Sequence, residues 1–233
     1  AIQGTNNILS SIDRNCKILF PSSHVVFDGL TKKIKNLSET FRPKPQLKYS
    51  KSKLQNEKDI IKSGVKYNIF RLGSAYGFSG DRTRINIMPN LFSKITSQNG
   101  TIKLFGGGKQ LKSLVSVKDI ARSFKYFEEN NHDNQIFNLS NENHTVVEVS
   151  KICKKYNKQL KLISTKDKIP NLGYTLSNKK IKKFGFKFNY NLEKSIKEMI
   201  DRWSYVKSFD ENEIVLNATD PYVDKRGKIL NYE

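Results

Sequence analysis

Two short stretches of this sequence bring together side chains able to move a proton. The first, "KILFPSSHVVFDG" (residues 17–29), runs from an apolar patch into Ser22 and Ser23. Hydroxyls at the C-terminal end of a parallel strand fall where open α/β sheets place their ligand crevice, although a Ser-Ser pair also serves simply to cap or turn the chain. The second is "YSKSK" (49–53), where Tyr49 and Lys53 are four apart and share one helical face. An ammonium beside a phenol favours phenolate, drawing the pKa down from about 10 toward working pH and making a general acid or base. On a solvated helix the same pair is an ordinary surface feature. His24, next to Ser23, reads either as a rim residue or as a second acid titrating near neutrality.

The elements that must position these groups alternate along the chain. Residues 5–15 read as a helix end and "KILF" as a buried strand. Residues 46–64 read as a polar helix with Leu47, Leu54, Ile60 and Ile61 as its apolar stripe, closed by Gly64. "YNIFRL" is the next strand, followed by a helix near 86–97, a strand near 101–105 and a turn at "GGGK". The extended segment "LKSLVSV" then leads into a helix begun near Asp119 and running to about Glu129. "QIFNLS" and "QLKLIS" are strands flanking the helix "TVVEVSKICKKY". Such repeated strand-helix units give the fold class α/β, with a mostly parallel sheet covered on both faces. After Trp203 the composition turns acidic and strand-like, marking a change of module near residue 208.

Composition narrows the function classes. No apolar run approaches the length of about 18 residues that spans a bilayer, and the N-terminus lacks the basic-then-apolar layout of a signal peptide, so the reading is a soluble cytoplasmic protein. Cys16 and Cys153 are far apart and the three histidines are scattered, which predicts reduced thiols and no metal. A net charge of +20 raises the question of nucleic acid, but lysines are spread over every segment rather than clustered, so nucleic acid is not the expected partner.

The order of these motifs resembles the extended short-chain dehydrogenase/reductases, the NAD-dependent epimerase/dehydratase group that acts on nucleotide sugars. The likeness is carried by "FPSSHVVFDG", "PKPQLKYSKSKLQNE", "FRLGSAYG", "NIMPNLF", "IKLFGGGKQLKSLVSVKDIA", "IFNLSNE" and "NKKIKKFGFK", over roughly residues 1–205. It implies a partial doubly wound Rossmann-type sheet lacking its first strands, with an interleaved substrate-binding part, over residues 1–207. It implies that Ser23 binds the sugar hydroxyl or carbonyl, that Tyr49 is the acid/base, and that Lys53 holds the nicotinamide ribose and lowers the Tyr49 pKa. By the same likeness Asn86 contacts substrate, Phe105 lies beside the nucleotide base, and Lys112 stands where an arginine usually meets the diphosphate. Lysine offers that diphosphate a point charge without the bidentate fork. Ser74 replaces a common asparagine. The implied cofactor is NAD or NADP, the implied partner a nucleotide-diphosphate sugar, and the implied assembly a homodimer.

The family's glycine-rich pyrophosphate turn is not in these 233 residues, since "GSAYGFSG" and "FGGGKQ" both lack the strand-turn-helix setting. The expectation is therefore a fragment of a longer product that binds NAD poorly by itself. "DPYVDKRGKILNYE" faintly resembles the opening of cupin-type sugar epimerases, which makes residues 208–233 a linker and the start of a second domain. His24 and Val25 occupy the place of the family dehydratases' Asp-Glu pair, so the expected reaction is epimerisation or reduction rather than 4,6-dehydration. The competing reading is a catalytically degenerate member, or a basic nucleotide- or RNA-binding protein.

Overall fold

The computed structural model describes residues 2–80, 82–167 and 172–205. In chain order its elements are α1 (Ile2–Ser11), β1 (Lys17–Ser23), β2 (Ile34–Leu37), α2 (Lys48–Lys62), β3 (Lys66–Leu72), β4 (Ser74–Tyr76), α3 (Met88–Ser97) and β5 (Thr101–Leu104). There follow β6 (Leu111–Ser116), α4 (Val117–Glu129), β7 (Gln135–Leu139), β8 (Glu142–Thr145), α5 (Val146–Tyr156), β9 (Lys161–Ser164), β10 (Tyr174–Leu176), α6 (Lys179–Lys183) and α7 (Leu192–Ser204). Two 3-10 turns, His24–Phe27 and Phe105–Gly108, follow β1 and β5. The expected second module at 208–233 lies outside the described residues.

The sheet that carries the site has the order β1-β3-β7, all parallel, and its register ends with Ser23 opposite Leu72 and Leu72 opposite Leu139. The three C-terminal strand ends therefore lie level, at one edge. Alternation along β3 explains the covering layers. Phe70 points to α4 and packs on Phe124 and Phe127, whereas Arg71 points the other way and meets Glu57 of α2. Helices on both faces of a parallel sheet define the doubly wound α/β class. The other strands form smaller sheets: β10-β2 parallel, β5-β9 parallel, and β4-β6-β8, in which β8 runs antiparallel to β6.

Three apolar cores hold these layers together. Phe70, Val115, Phe127, Phe137, Leu139, Ile181 and Phe186 fill the space between the main sheet, α4 and α6. A larger core, including Leu91, Ile95, Leu114, Met199 and Trp203, packs α3, α5 and α7 against the smaller sheets. The third, made of Val26, Phe27, Leu37, Tyr174 and Leu176, lies under the turn that follows β1.

Local chemistry sets the helix limits. Helix α4 begins at Val117, capped by Ser116, whose hydroxyl accepts from the Lys118 N–H; Asp119, expected near its start, is instead buried in the first turn. There it receives the backbone N–H groups of Asn189 and Tyr190 and pairs with Arg122. Helix α5 opens with a full capping box of Thr145 and Glu148. In α2 the buried positions are Ser50, Asn56, Glu57 and Ile60, while Ile61 of the expected apolar stripe is exposed. The inward face of α2 is polar because it meets a charged residue of β3. No helix among the described residues is long and apolar enough to cross a membrane, and these residues hold no cluster of metal-ligating side chains.

Candidate active site

The two hydroxyls ending β1 have separate tasks. Successive strand residues face opposite sides, so Ser22 turns inward and is buried, donating to the Glu57 carboxylate at 2.5 Å. Glu57 is also gripped by Arg71, with Nε 3.1 Å from Oε1 and Nη2 2.8 Å from Oε2. This buried, bidentate pair ties α2 to both β1 and β3. Ser23 faces a cavity of about 620 Å³ and caps the following turn, accepting from the Val25 N–H at 3.4 Å. Capping and cavity lining thus coexist in one residue.

Tyr49 and Lys53 come to the same cavity from the first two turns of α2. Tyr49 is 47 % exposed. Burial raises its pKa above the usual tyrosine value, while the Arg84 charge and then the neighbouring Ser23 hydroxyl pull in the other direction. This corrects the expectation that Lys53 draws the phenol downward. The Lys53 ammonium donates to the Pro21 carbonyl at 2.7 Å and lies over the rings of Phe20 and Tyr49, 4.8 and 5.8 Å from their centroids. It is held against the strand, and the charge that opposes the rise in the Tyr49 pKa is that of Arg84. Burial lowers the Lys53 pKa, opposed by the negative Glu57 one turn further along.

Ser74, Asn86 and Lys112 form the facing wall, so six of the seven residues expected in the site line one cavity. Phe105 does not line it; it opens the turn after β5. Gly73 brings β6 close enough to make this wall, because a Cβ there would lie 2.8 Å from the Ser113 carbonyl oxygen. Asn86 accepts from Arg84 Nε at 3.1 Å. Arg84 also lines the cavity, and sequence reasoning passed over it. No sequence signal marked it, because Arg84 and Asn86 sit in a turn closed by the Ile87 N–H donating to the Arg84 carbonyl. His24 lies between the two walls, its Nε2 3.5 Å from Ser74 Oγ and its Nδ1 3.2 Å from the Tyr174 hydroxyl. Burial, and then the Lys112 charge, lower its pKa to about 4. It is neutral at pH 7, not the near-neutral acid that its type alone allows.

A family model, the NAD dependent epimerase/dehydratase family, matches residues 1–140. No curated protein sequence matches the chain. Among solved structures, the fold is similar to that of UDP-glucose 4-epimerase from Thermotoga maritima with UDP-glucose, with a TM-score of 0.73, 21 % identity and coverage of 86 % of this chain and 68 % of that one. It is similar to UDP-glucose 4-epimerase from Thermus thermophilus in complex with NAD, at a TM-score of 0.73, 20 % identity and 88 % and 70 % coverage. The UDP-glucuronic acid 4-epimerase from Bacillus cereus, in complex with UDP-glucuronic acid and NAD, gives a TM-score of 0.73, 17 % identity and 87 % and 66 % coverage. The chain thus spans about two thirds of the length of each.

Proposed function

This chain belongs to the NAD-dependent epimerase/dehydratase family, and from that membership we propose that it provides the catalytic face of an NAD(P)-dependent nucleotide-sugar epimerase or reductase, with Tyr49 as its acid/base. One observation carries the reading: Ser23, Tyr49 and Lys53 line a single cavity at the C-terminal strand edge, with Lys53 one helical turn from Tyr49. In this reading Tyr49 moves the proton of the sugar hydroxyl or ketone, and Ser23 steadies the same oxygen. Lys112 meets the diphosphate, and Asn86 and Ser74 contact the sugar.

The residues present fit the nicotinamide-ribose end of the cofactor. Of the three N–H groups of Lys53, one is given to Pro21 and two remain for ribose hydroxyls. When bound, the cofactor supplies hydride transfer to or from the sugar carbon. A neutral His24 and a buried, apolar Val25 leave no acid where a dehydratase would remove water, which supports epimerisation or reduction. The proposal extends to a cytoplasmic homodimer joined through α1 and α2.

The test, at millimolar cofactor with UDP-glucose and UDP-glucuronic acid as substrates, reads net oxidation or reduction by NADH absorbance and epimerisation, which leaves the cofactor unchanged overall, by chromatography of the UDP-sugars. Tyr49→Phe is expected to lower turnover by about 10³-fold while calorimetry gives unchanged UDP-sugar affinity. Retained turnover removes Tyr49 from the mechanism.

A further inference from the structure

His24 has a tautomer that the hydrogen bonds dictate. The Tyr174 hydroxyl donates to the His24 backbone carbonyl at 2.7 Å. A phenol has one proton, so at the 3.2 Å contact with Nδ1 the oxygen must accept, and the imidazole must donate. The proton of the neutral ring therefore sits on Nδ1, leaving Nε2 as a bare acceptor. The neutral form fits a part-buried ring facing the Lys112 cation. The Phe27–Tyr174 packing beneath the turn and the parallel pairing of β10 with β2 hold this geometry from the far side.

On the cavity side, Nε2 meets among the described residues only a long contact, 3.5 Å from Ser74 Oγ. The remaining wall is rich in donors: Lys48, Lys53, Arg84 and Lys112 all line it, and among the described residues no lining side chain is an aspartate or glutamate. Asn86 already has its carbonyl oxygen engaged by Arg84. A basic nitrogen that gives no proton is therefore an unusual feature of this cavity, and it belongs to the residue adjoining Ser23.

We propose that His24 is a specificity-determining residue: its Nε2, fixed as an acceptor by the Tyr174 bonding, takes a hydrogen bond from a sugar hydroxyl neighbouring the one that Tyr49 acts on. Ser74 occupies the acceptor at rest and is displaced by that hydroxyl. The site thereby selects sugars with a free hydroxyl at that carbon over deoxy or O-substituted ones. The inference rests on the nucleotide-sugar reading above and deepens it.

Calorimetry with UDP-glucose and its monodeoxy analogues tests it. One analogue is expected to bind the unaltered chain about 10-fold more weakly than UDP-glucose, the effect of one well-made hydrogen bond. His24→Phe should lose the same factor on UDP-glucose yet bind that analogue as the unaltered chain does, with His24→Gln recovering part of the loss. An equal loss on every analogue, or none on UDP-glucose, overturns the proposal while leaving the nucleotide-sugar reading intact. Failure of every probe to bind the unaltered chain overturns both. Nitrogen-15 NMR of the unaltered chain gives a check without substitution: Nδ1 should be protonated and Nε2 bare at pH 7, with the Nε2 resonance moving when UDP-glucose is added. An Nε2-protonated ring or an imidazolium overturns the proposal.

Discussion

The raised pKa of Tyr49 means that the ligand-free site rests with its phenol protonated. The tyrosinate absorbance of the chain minus that of Tyr49→Phe is expected to have its midpoint above the ordinary tyrosine value of 10.0, and Arg84→Ala should move it higher by removing the charge that opposes the rise. Below that midpoint a phenol can donate at every pH, whereas the phenolate fraction grows with pH. Sugar oxidation should therefore quicken as pH rises while ketone reduction stays level. His24 makes a prediction of opposite sign. Its folded pKa, about 4, is below the unfolded 6.5, so between those values the unfolded chain binds more protons and stability falls as pH falls. Urea midpoints at pH 7 and pH 5 should differ more for the unaltered chain than for His24→Phe. At this scale Ser23, Tyr49 and Lys53 were legible because helical period and strand ends place neighbours predictably. Arg84 and Tyr174 were not, since a loop path and a separation of 150 residues bring them in.

Among the elements, α2 carries both the reactive face and the ion pair that seats it. Glu57→Gln would leave Arg71 buried without its counter-charge, a loss of about 3–5 kcal/mol, and would leave the Ser22 hydroxyl an amide oxygen in place of a carboxylate. Urea denaturation should show the drop, and Glu57→Gln with Arg71→Met should recover much of it. Gly73→Ala forces β6 away from the end of β3; we expect weaker UDP-sugar binding together with lower stability. The strands "KILF", "YNIFRL" and "QIFNLS" could be read from their apolar runs, and all three belong to the main sheet. The strand "QLKLIS" could be read as well, but its partner is β5. Strands β2, β4, β8 and β10 escaped notice because three or four residues establish no period and they lack the glycine-bounded apolar pattern that marked β5 or a longer run such as "QLKLIS" that marked β9.

In the whole molecule, the cavity is closed by β1, β3 and α2 on one side and by β4, β6 and the approach to α3 on the other. The charge of +20 is spread too evenly to mark a nucleic-acid groove; RNA gel shifts at physiological salt should show no discrete complex. With no glycine-rich turn in these 233 residues, NADH titrated into the chain is expected to bind more weakly than micromolar, and micromolar affinity would refute this. Helix α1 buries none of its residues and exposes Ile2 and Ile8; it packs on α2, where Ile61 is exposed as well. Sedimentation velocity should report twice the chain mass of 26.9 kDa. One consequence of the Lys53–Pro21 bond concerns the cost of filling the site. A free lysine gives up about 2 kcal/mol of rotamer entropy when it is immobilised, but here the strand carbonyl has already imposed that loss during folding. The ammonium meets an incoming ribose preorganised, so removing the tether should appear in calorimetry as a less favourable binding entropy at nearly constant enthalpy.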